Sequence, residues 1–365
     1  MAPKVKTPNF YLELGGIDFS SPKLKQRVTT IEVDQVSDGA SSFKILLDDG
    51  DDAFATAKFG QIKEGDRCVI KLGYYETGLT QLIEGDVTGV KIERKEYARK
   101  IFVITGFDGL HLLTRGRFQR SFEEMKDSCL AQLIAGECGL GCDAEDSKIV
   151  HQYIVQNNVC NLVFLQERAK RIGFEVKVEG KKLVFKKPSR VETGVTLRWD
   201  GSKATNNTRI LQRCDFNATT MNVPEEVVVR SYCPRTAKPI IESATKADLN
   251  GQMGGSDVAP DLAKDAAKGV GTRIQISDQP VASAEEAKAL AVSILNQRTD
   301  DFLTGKGSCE GEPDVSCGRI ITLLDVGSEM EGEYYVTNAT HSLKVGSGSG
   351  GGYWTAFGIK RNARR

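Results

Sequence analysis

The sequence is short of the residues that build most active sites. It has three histidines, His111, His151 and His341, and two tryptophans, Trp199 and Trp354, in 365 residues. No GxSxG, HExxH or nucleophilic-cysteine signature occurs, and no paired CxxC. Net charge is missing too. Lys plus Arg and Asp plus Glu both number 49, so the basic excess that nucleic acid or an anionic membrane requires is absent. No apolar run approaches the length of a membrane span. The start, "MAPKVKTPNF", lacks the apolar core of a signal peptide, so synthesis in the cytoplasm is expected. The nine cysteines are odd in number and sit in a long chain without a leader, which argues against a disulfide framework. Cys68 and Cys129 stand among apolar residues, where cysteine acts as a small buried hydrophobe.

What is present is β pattern. "FYLEL" puts Phe10, Leu12 and Leu14 on one face, "TIEVDQV" alternates Ile31 and Val33 with acids, and "SFKILLDD" alternates Phe43, Ile45 and Leu47. Two strands in 65–92 and "KIFVITGFD" at 100–108 follow. Six such runs predict a small antiparallel barrel or sandwich over residues 1–110.

The pattern then changes. "SFEEMKDSCLAQLIAG" reads as a helix opened by a Ser121 and Glu124 capping box, with Phe122, Met125, Cys129 and Leu133 on one side. A second helix fits 158–172, ended by Gly173, and "FEVKVEGKKLVF" is a hairpin turning at Glu179-Gly180. Residues 111–192 thus form an inserted α+β unit. Strand character returns over 193–365 as a second β domain. Within it, 236–275 is rich in Ala, Gly, Lys and Asp and reads as an exposed excursion. A helix at 283–298 carries its own capping box, Ser283 and Glu286. "GSGSGGG" at 346–352 reads as a flexible hairpin loop.

One design occurs twice. "GDRCVIKLGYYETGLTQLIEGDVTGVKI" at 65–92 and "GRIITLLDVGSEMEGEYYVTNATHSL" at 318–343 are both Gly-opened hairpins with a Glu-Gly pair before a second long strand. Any two β domains hold such hairpins, but a duplication would leave the same trace.

Candidate chemistry is sparse. Cys138, Cys142, His151 and Cys160 could in principle ligate zinc, but their spacing lacks the tight pairs of structural sites. Most carboxylates fall in turns such as "DDGDDAF". The basic stretches at 91–100 and 181–190 fit solvated strand faces and edges. No catalytic, cofactor-binding or metal residue is expected.

The whole chain resembles the phage late control gene D proteins, the tail hubs of contractile phages and injection systems, and the N-terminal part of type VI secretion spike proteins. "PVASAEEAKALAVSILNQR", "GRIITLLDVGSEMEGEYYVTNATHSL" and "GYWTAFGIKR" follow that family's order. The matching positions are Val281, Ser283, Gly318, Val336, His341, Tyr353, Thr355, Phe357 and Arg361. Glu333 splits Gly332 from Tyr334, a small departure. "FYLELGGIDFSS", "GQIKEGDRCVIKLGYYE" and the helix-then-hairpin stretch of 154–185 agree.

The resemblance implies a mainly β fold with two related small barrels and an α+β insert. It implies a ring-shaped homotrimer whose six barrels adapt a hexameric inner tube to a trimeric spike, beside other baseplate proteins, in a phage tail or injection particle. Type VI spike proteins continue into further domains where this sequence reaches "RNARR", so the spike is expected as a separate trimeric protein meeting the basic end Lys360, Arg361, Arg364 and Arg365. No cofactor, nucleic acid or membrane span is implied. The rival readings are a tail-borne cell-wall hydrolase, which needs a converging carboxylate pair, and a wall-binding module with Trp199 and Trp354 as anchors.

Overall fold

The computed structural model describes residues 6–50, 53–94, 100–188, 190–203, 208–233, 237–346 and 351–365. Parts of six sequence features lie outside them: residues 1–5 of the start, 51–52 of the acidic turn, 95–99 and 189 of the two basic stretches, 236 of the segment 236–275 and 347–350 of the glycine loop.

The first half comprises β1 (Pro8–Leu14), β2 (Ile17–Asp18), α1 (Pro22–Lys25), β3 (Val28–Val36), β4 (Ser42–Asp48), α2 (Ala53–Phe59), β5 (Arg67–Tyr74), β6 (Gly78–Arg94) and β7 (Lys100–Asp108). Alternation dictates its core. Leu12, Leu14, Ile31, Val33, Ile45, Leu47, Ile70 and Leu72 are all fully buried. Each contributes about 1.5–3 kcal/mol by leaving water. α2 and the loop before α1 close the core with aromatics: the Phe19 and Phe59 rings stack at 6.0 Å, and Phe59 meets Phe102 edge-on at 5.6 Å.

The first insert follows: β8 (Phe118–Lys126), α3 (Asp127–Glu137), β9 (Gly141–Ala144), β10 (Val150–Val159), α4 (Asn161–Ile172), β11 (Glu175–Glu179) and β12 (Lys182–Lys186). The predicted second helix and its hairpin are here, with Gly173 in the left-handed conformation as the helix stop. The predicted first helix is not. Residues 118–126 are a strand pairing with β10, and the helix begins at Asp127. Its buried face is Leu130, Ala131, Ile134 and Ala135, while Cys129 and Leu133 point outward. Glu124 has φ 49°, outside the right-handed helix, so Ser121 and Glu124 form no capping box.

The chain then returns through β13 (Val191–Arg198) and β14 (Thr208–Ala218), and enters a second insert. That insert holds β15 (Glu226–Cys233), β16 (Lys238–Thr245), β17 (Asp257–Val258), α5 (Ala259–Ala266), β18 (Arg273–Ile276) and α6 (Ala284–Asp300). The segment 236–275, read as an exposed excursion, is exposed over more than half of its described residues, yet it carries regular structure: β16, β17, α5 and β18. β16 and β18 flank β15 in one sheet, with Ala244 buried under α6. α5 sends Ala259 and Ala263 into the second barrel. Ala244, Ala259 and Ala263 are small because close packing needs them there, which composition alone reads as loop. α6 keeps its predicted start: Ser283 Oγ accepts from Glu286 N at 3.1 Å.

The last strands are β19 (Leu303–Glu310), β20 (Arg319–Leu324), β21 (Gly332–Lys344), β22 (Gly352–Arg361) and β23 (Ala363–Arg364). In the first half the hydrogen-bonded order is β1-β5-β6-β7-β4-β3. In the second it is β13-β20-β21-β22-β19-β14, and β14 pairs back with β13 to close a six-stranded barrel. The orders are the same when strands are numbered within each half. The hairpins β5–β6 and β20–β21 occupy the same place. Two differences stand out. β13 runs parallel to β20 where β1 runs antiparallel to β5. The first half is also open between β1 and β3, because the second edge of β3 is taken by residues 338–344 of β21. The two halves are therefore one continuous sheet.

Candidate assembly surfaces

The residues that carry the family likeness lie inside the molecule. Val336, His341, Thr355 and Arg361 have no exposed surface, and Tyr353 and Phe357 have almost none. Around the seam between the halves, the Tyr353 hydroxyl lies 2.9 Å from His341 Nδ1, and Thr355 Oγ1 lies 3.2 Å from it. Thr355 Oγ1 also accepts from Glu312 N at 3.0 Å. Tyr74, from the first half, donates to the Gly311 carbonyl at 2.7 Å and packs its ring 5.9 Å from Tyr353. Gly311 must be glycine: a Cβ there would sit 2.1 Å from ring atoms of Tyr353. Burial pushes the His341 pKa down to about 3, so its imidazole is neutral at physiological pH.

Arg361 is a clamp. Its Nη1 donates to the Glu331 carbonyl at 2.8 Å, its Nη2 to the Glu329 carbonyl at 2.5 Å, and its guanidinium lies 4.5 Å over the Tyr334 ring. It thereby fixes the β20–β21 loop. Of the basic end, Arg361 is sealed in the core. Lys360 lies 3.7 Å from Asp301, Arg364 3.4 Å from Glu329 and Arg365 3.2 Å from Glu331.

The two inserts meet across a cleft of about 1110 Å³ between β10, α4 and α6. At its base is a charge cluster that sequence reasoning missed, since its members are spread over the chain from Asp127 to Glu286. Asp127 Oδ1 accepts from Arg168 Nε at 2.5 Å, and Asp127 Oδ2 lies 3.0 Å from His151 Nε2. Across the joint, Glu286 Oε1 accepts from Arg171 at 3.0 Å and lies 3.6 Å from His151 Nδ1. Burial works to raise the Asp127 pKa, but its bonds to His151 and Arg168 outweigh that and hold the carboxyl below its usual range. A carboxylate so held is unsuited to giving up a proton as a general acid.

The weighed zinc residues do not converge. His151 is engaged by Asp127 and Arg168, and among the described residues no group of three or more His, Cys, Asp or Glu could hold a metal. Cys138 and Cys142 pack against the core of the first insert, where burial raises their thiol pKa values. Trp199 and Trp354 are both about half exposed. No helix of the described residues is long and apolar enough to cross a membrane.

This mainly β arrangement is the fold of phage tail proteins and of type VI secretion components. The 43 kDa tail protein of prophage MuSo2 from Shewanella oneidensis superposes with a TM-score of 0.67 at 14% identity, over 97% of this chain and 98% of that one. An Escherichia coli component of the type VI secretion system, described as similar to T4 bacteriophage tail proteins, does so at 0.56 and 12% identity, over 93% and 76%. A chain of the Francisella PdpA-VgrG complex gives 0.52 at 9% identity, over 98% of this chain and 53% of that one. The chain belongs to the family of the Alg8 N-terminal domain, whose model matches residues 19–344. No match emerges among curated proteins.

Proposed function

We propose that this protein is the baseplate hub of a contractile injection system or phage tail, of the late control gene D type, and that its role is structural rather than enzymatic. Three copies form a ring that adapts a hexameric inner tube on one side to a separate trimeric spike on the other, with further baseplate proteins around it. It is made in the bacterial cytoplasm and incorporated into the particle.

The observation that carries this reading is the same strand order in both halves of one chain. Three chains then supply six similar units, and cyclic closure of identical chains is the ordinary route to a ring. The fold likeness to tail and type VI proteins supports it. So does the use of buried histidine, arginine and carboxylates as ties between segments. The test is the mass of the purified chain in solution, alone and with its tube and spike proteins. Three times 39.8 kDa is expected for the hub. A monomer in both conditions overturns the reading.

A further inference from the structure

His151, on β10 of the first insert, is buried at the base of the cleft with a carboxylate near each ring nitrogen. Asp127 Oδ2, on α3, lies 3.0 Å from Nε2. Glu286 Oε1, on α6 of the second insert, lies 3.6 Å from Nδ1. Arg168 Nη2, on α4, also lies 2.8 Å from Nε2. A ring nitrogen offers either one N–H or one lone pair. Nε2 therefore cannot donate to Asp127 and accept from Arg168 at the same time. Each neutral tautomer leaves one nitrogen without a proton for its carboxylate: Nδ1 at Glu286 in one, Nε2 at Asp127 in the other. Only the imidazolium has an N–H for both. Arg168 does not depend on the ring, since its Nε at 2.5 Å and its Nη2 at 3.2 Å both donate to Asp127.

We propose that His151 is a proton-driven latch between the two inserts. Its imidazolium binds Asp127 and Glu286 together and holds the start of α6 against the first insert, and its neutral ring lets Glu286 go. The surrounding charges favour this. α3 supplies Asp127, α4 supplies Glu167, Arg168, Lys170 and Arg171, the stretch before α6 supplies Asp278, and α6 supplies Glu286. Four acids thus stand against three bases, and a proton on His151 brings the set to neutrality. Glu167, Lys170 and Asp278 are exposed, so water and salt screen them, and the inner groups weigh most. β8 sets the uncharged Met125 opposite His151. Tyr153, Tyr232 and Cys233 also line the cleft, and phenols and thiols ordinarily ionise above about pH 8. Arg171 at 3.0 Å and the Ala282 N–H at 2.9 Å hold the Glu286 carboxylate in place for either state of the ring. Imidazole is the side chain whose ordinary charge change falls between about pH 5 and 8, so the latch closes as pH falls through that range. The inference stands independently of the ring assembly, since it concerns one chain.

The experiment follows hydrogen exchange of the full chain from pH 8.0 to pH 5.5, corrected for the intrinsic exchange rate at each pH. Protection of amides 286–290 in α6 is taken relative to amides 68–72 in the first barrel, which cancels changes in global stability. A rise of about fivefold or more in that ratio is expected at pH 5.5, and none in His151→Gln or Glu286→Gln. Nitrogen-15 spectra of labelled imidazoles read the ring directly. Both nitrogens of His151 should carry protons where protection is high, and the second proton should leave at the pH where protection falls. A flat ratio in the native chain, the same rise in either variant, or a proton lost at a pH where protection does not change overturns the proposal. Should His151→Gln fail to fold, Glu286→Gln and the native spectra decide the matter alone.

Discussion

His341 shows what a single position can and cannot tell from sequence. Its place at the end of a strand matched a family pattern, but its burial against Tyr353 and Thr355 depends on residues from other strands. The consequence is a pH dependence with a defined sign. In the unfolded chain the imidazole takes up a proton near its ordinary pKa of about 6.5, and in the folded chain only near about 3. Between these values the unfolded state binds more protons, so stability falls as pH falls, by up to about 1.4 kcal/mol per pH unit. Urea midpoints at pH 7.5, 5.5 and 4.5 should drop more steeply for the native chain than for His341→Gln. Equal slopes would contradict the assignment. Arg361 makes a second case. Its removal leaves the carbonyls of Glu329 and Glu331 without this partner. Arg361→Met should cost about 3 kcal/mol in chemical denaturation. Arg361→Lys should recover less than half, because an ammonium cannot reproduce the planar fork. Full recovery by lysine would show that charge alone matters there.

At the scale of elements, legibility followed the balance between local and distant forces. β1, β3 and β4 were readable because strict alternation put Leu12, Val33 and Ile45 in the core. α4 and α6 were readable because Gly173 and Ser283 mark a helix end and start by local chemistry. The start of α3 was misread because 118–126 pairs with β10, which begins 24 residues beyond β8 in the chain. That pairing overrides a local capping motif. The regular structure within 236–275 was not readable because Ala244, Ala259 and Ala263 gain their meaning only beneath α6 and in the second barrel. The cluster joining the inserts was not readable at all. A double-mutant cycle on Arg171→Met and Glu286→Gln should show coupling of about 1–3 kcal/mol in urea unfolding. Coupling near zero would mean that this ion pair adds nothing to the joint between the inserts. Purified protein should also hold less than one zinc per chain by elemental analysis. Stoichiometric zinc lost with Cys138→Ser and Cys142→Ser would contradict the placement of His151 with Asp127 and Arg168.

At the scale of the molecule, the recurring hairpin at 65–92 and 318–343 was the one global feature visible in the sequence. Its significance lies in topology: both copies sit second and third in a six-strand order. The sequence did not show that the first half stays open and borrows β21 from the second. That sharing joins the halves through one continuous sheet. The Tyr74–Gly311 and Tyr353–His341 contacts pin the same joint. Gly311→Ala should therefore lower thermal stability and, at the same time, weaken ring formation.

The most direct measurement is electron cryomicroscopy of the assembled particle, with the density at the junction of tube and spike averaged in threefold symmetry. The account predicts three copies of this chain, with β5–β6 and β20–β21 hairpins alternating at six nearly equivalent positions around the axis. Six copies at that level, one copy, or a ring in which only one of the two halves faces the axis would contradict it.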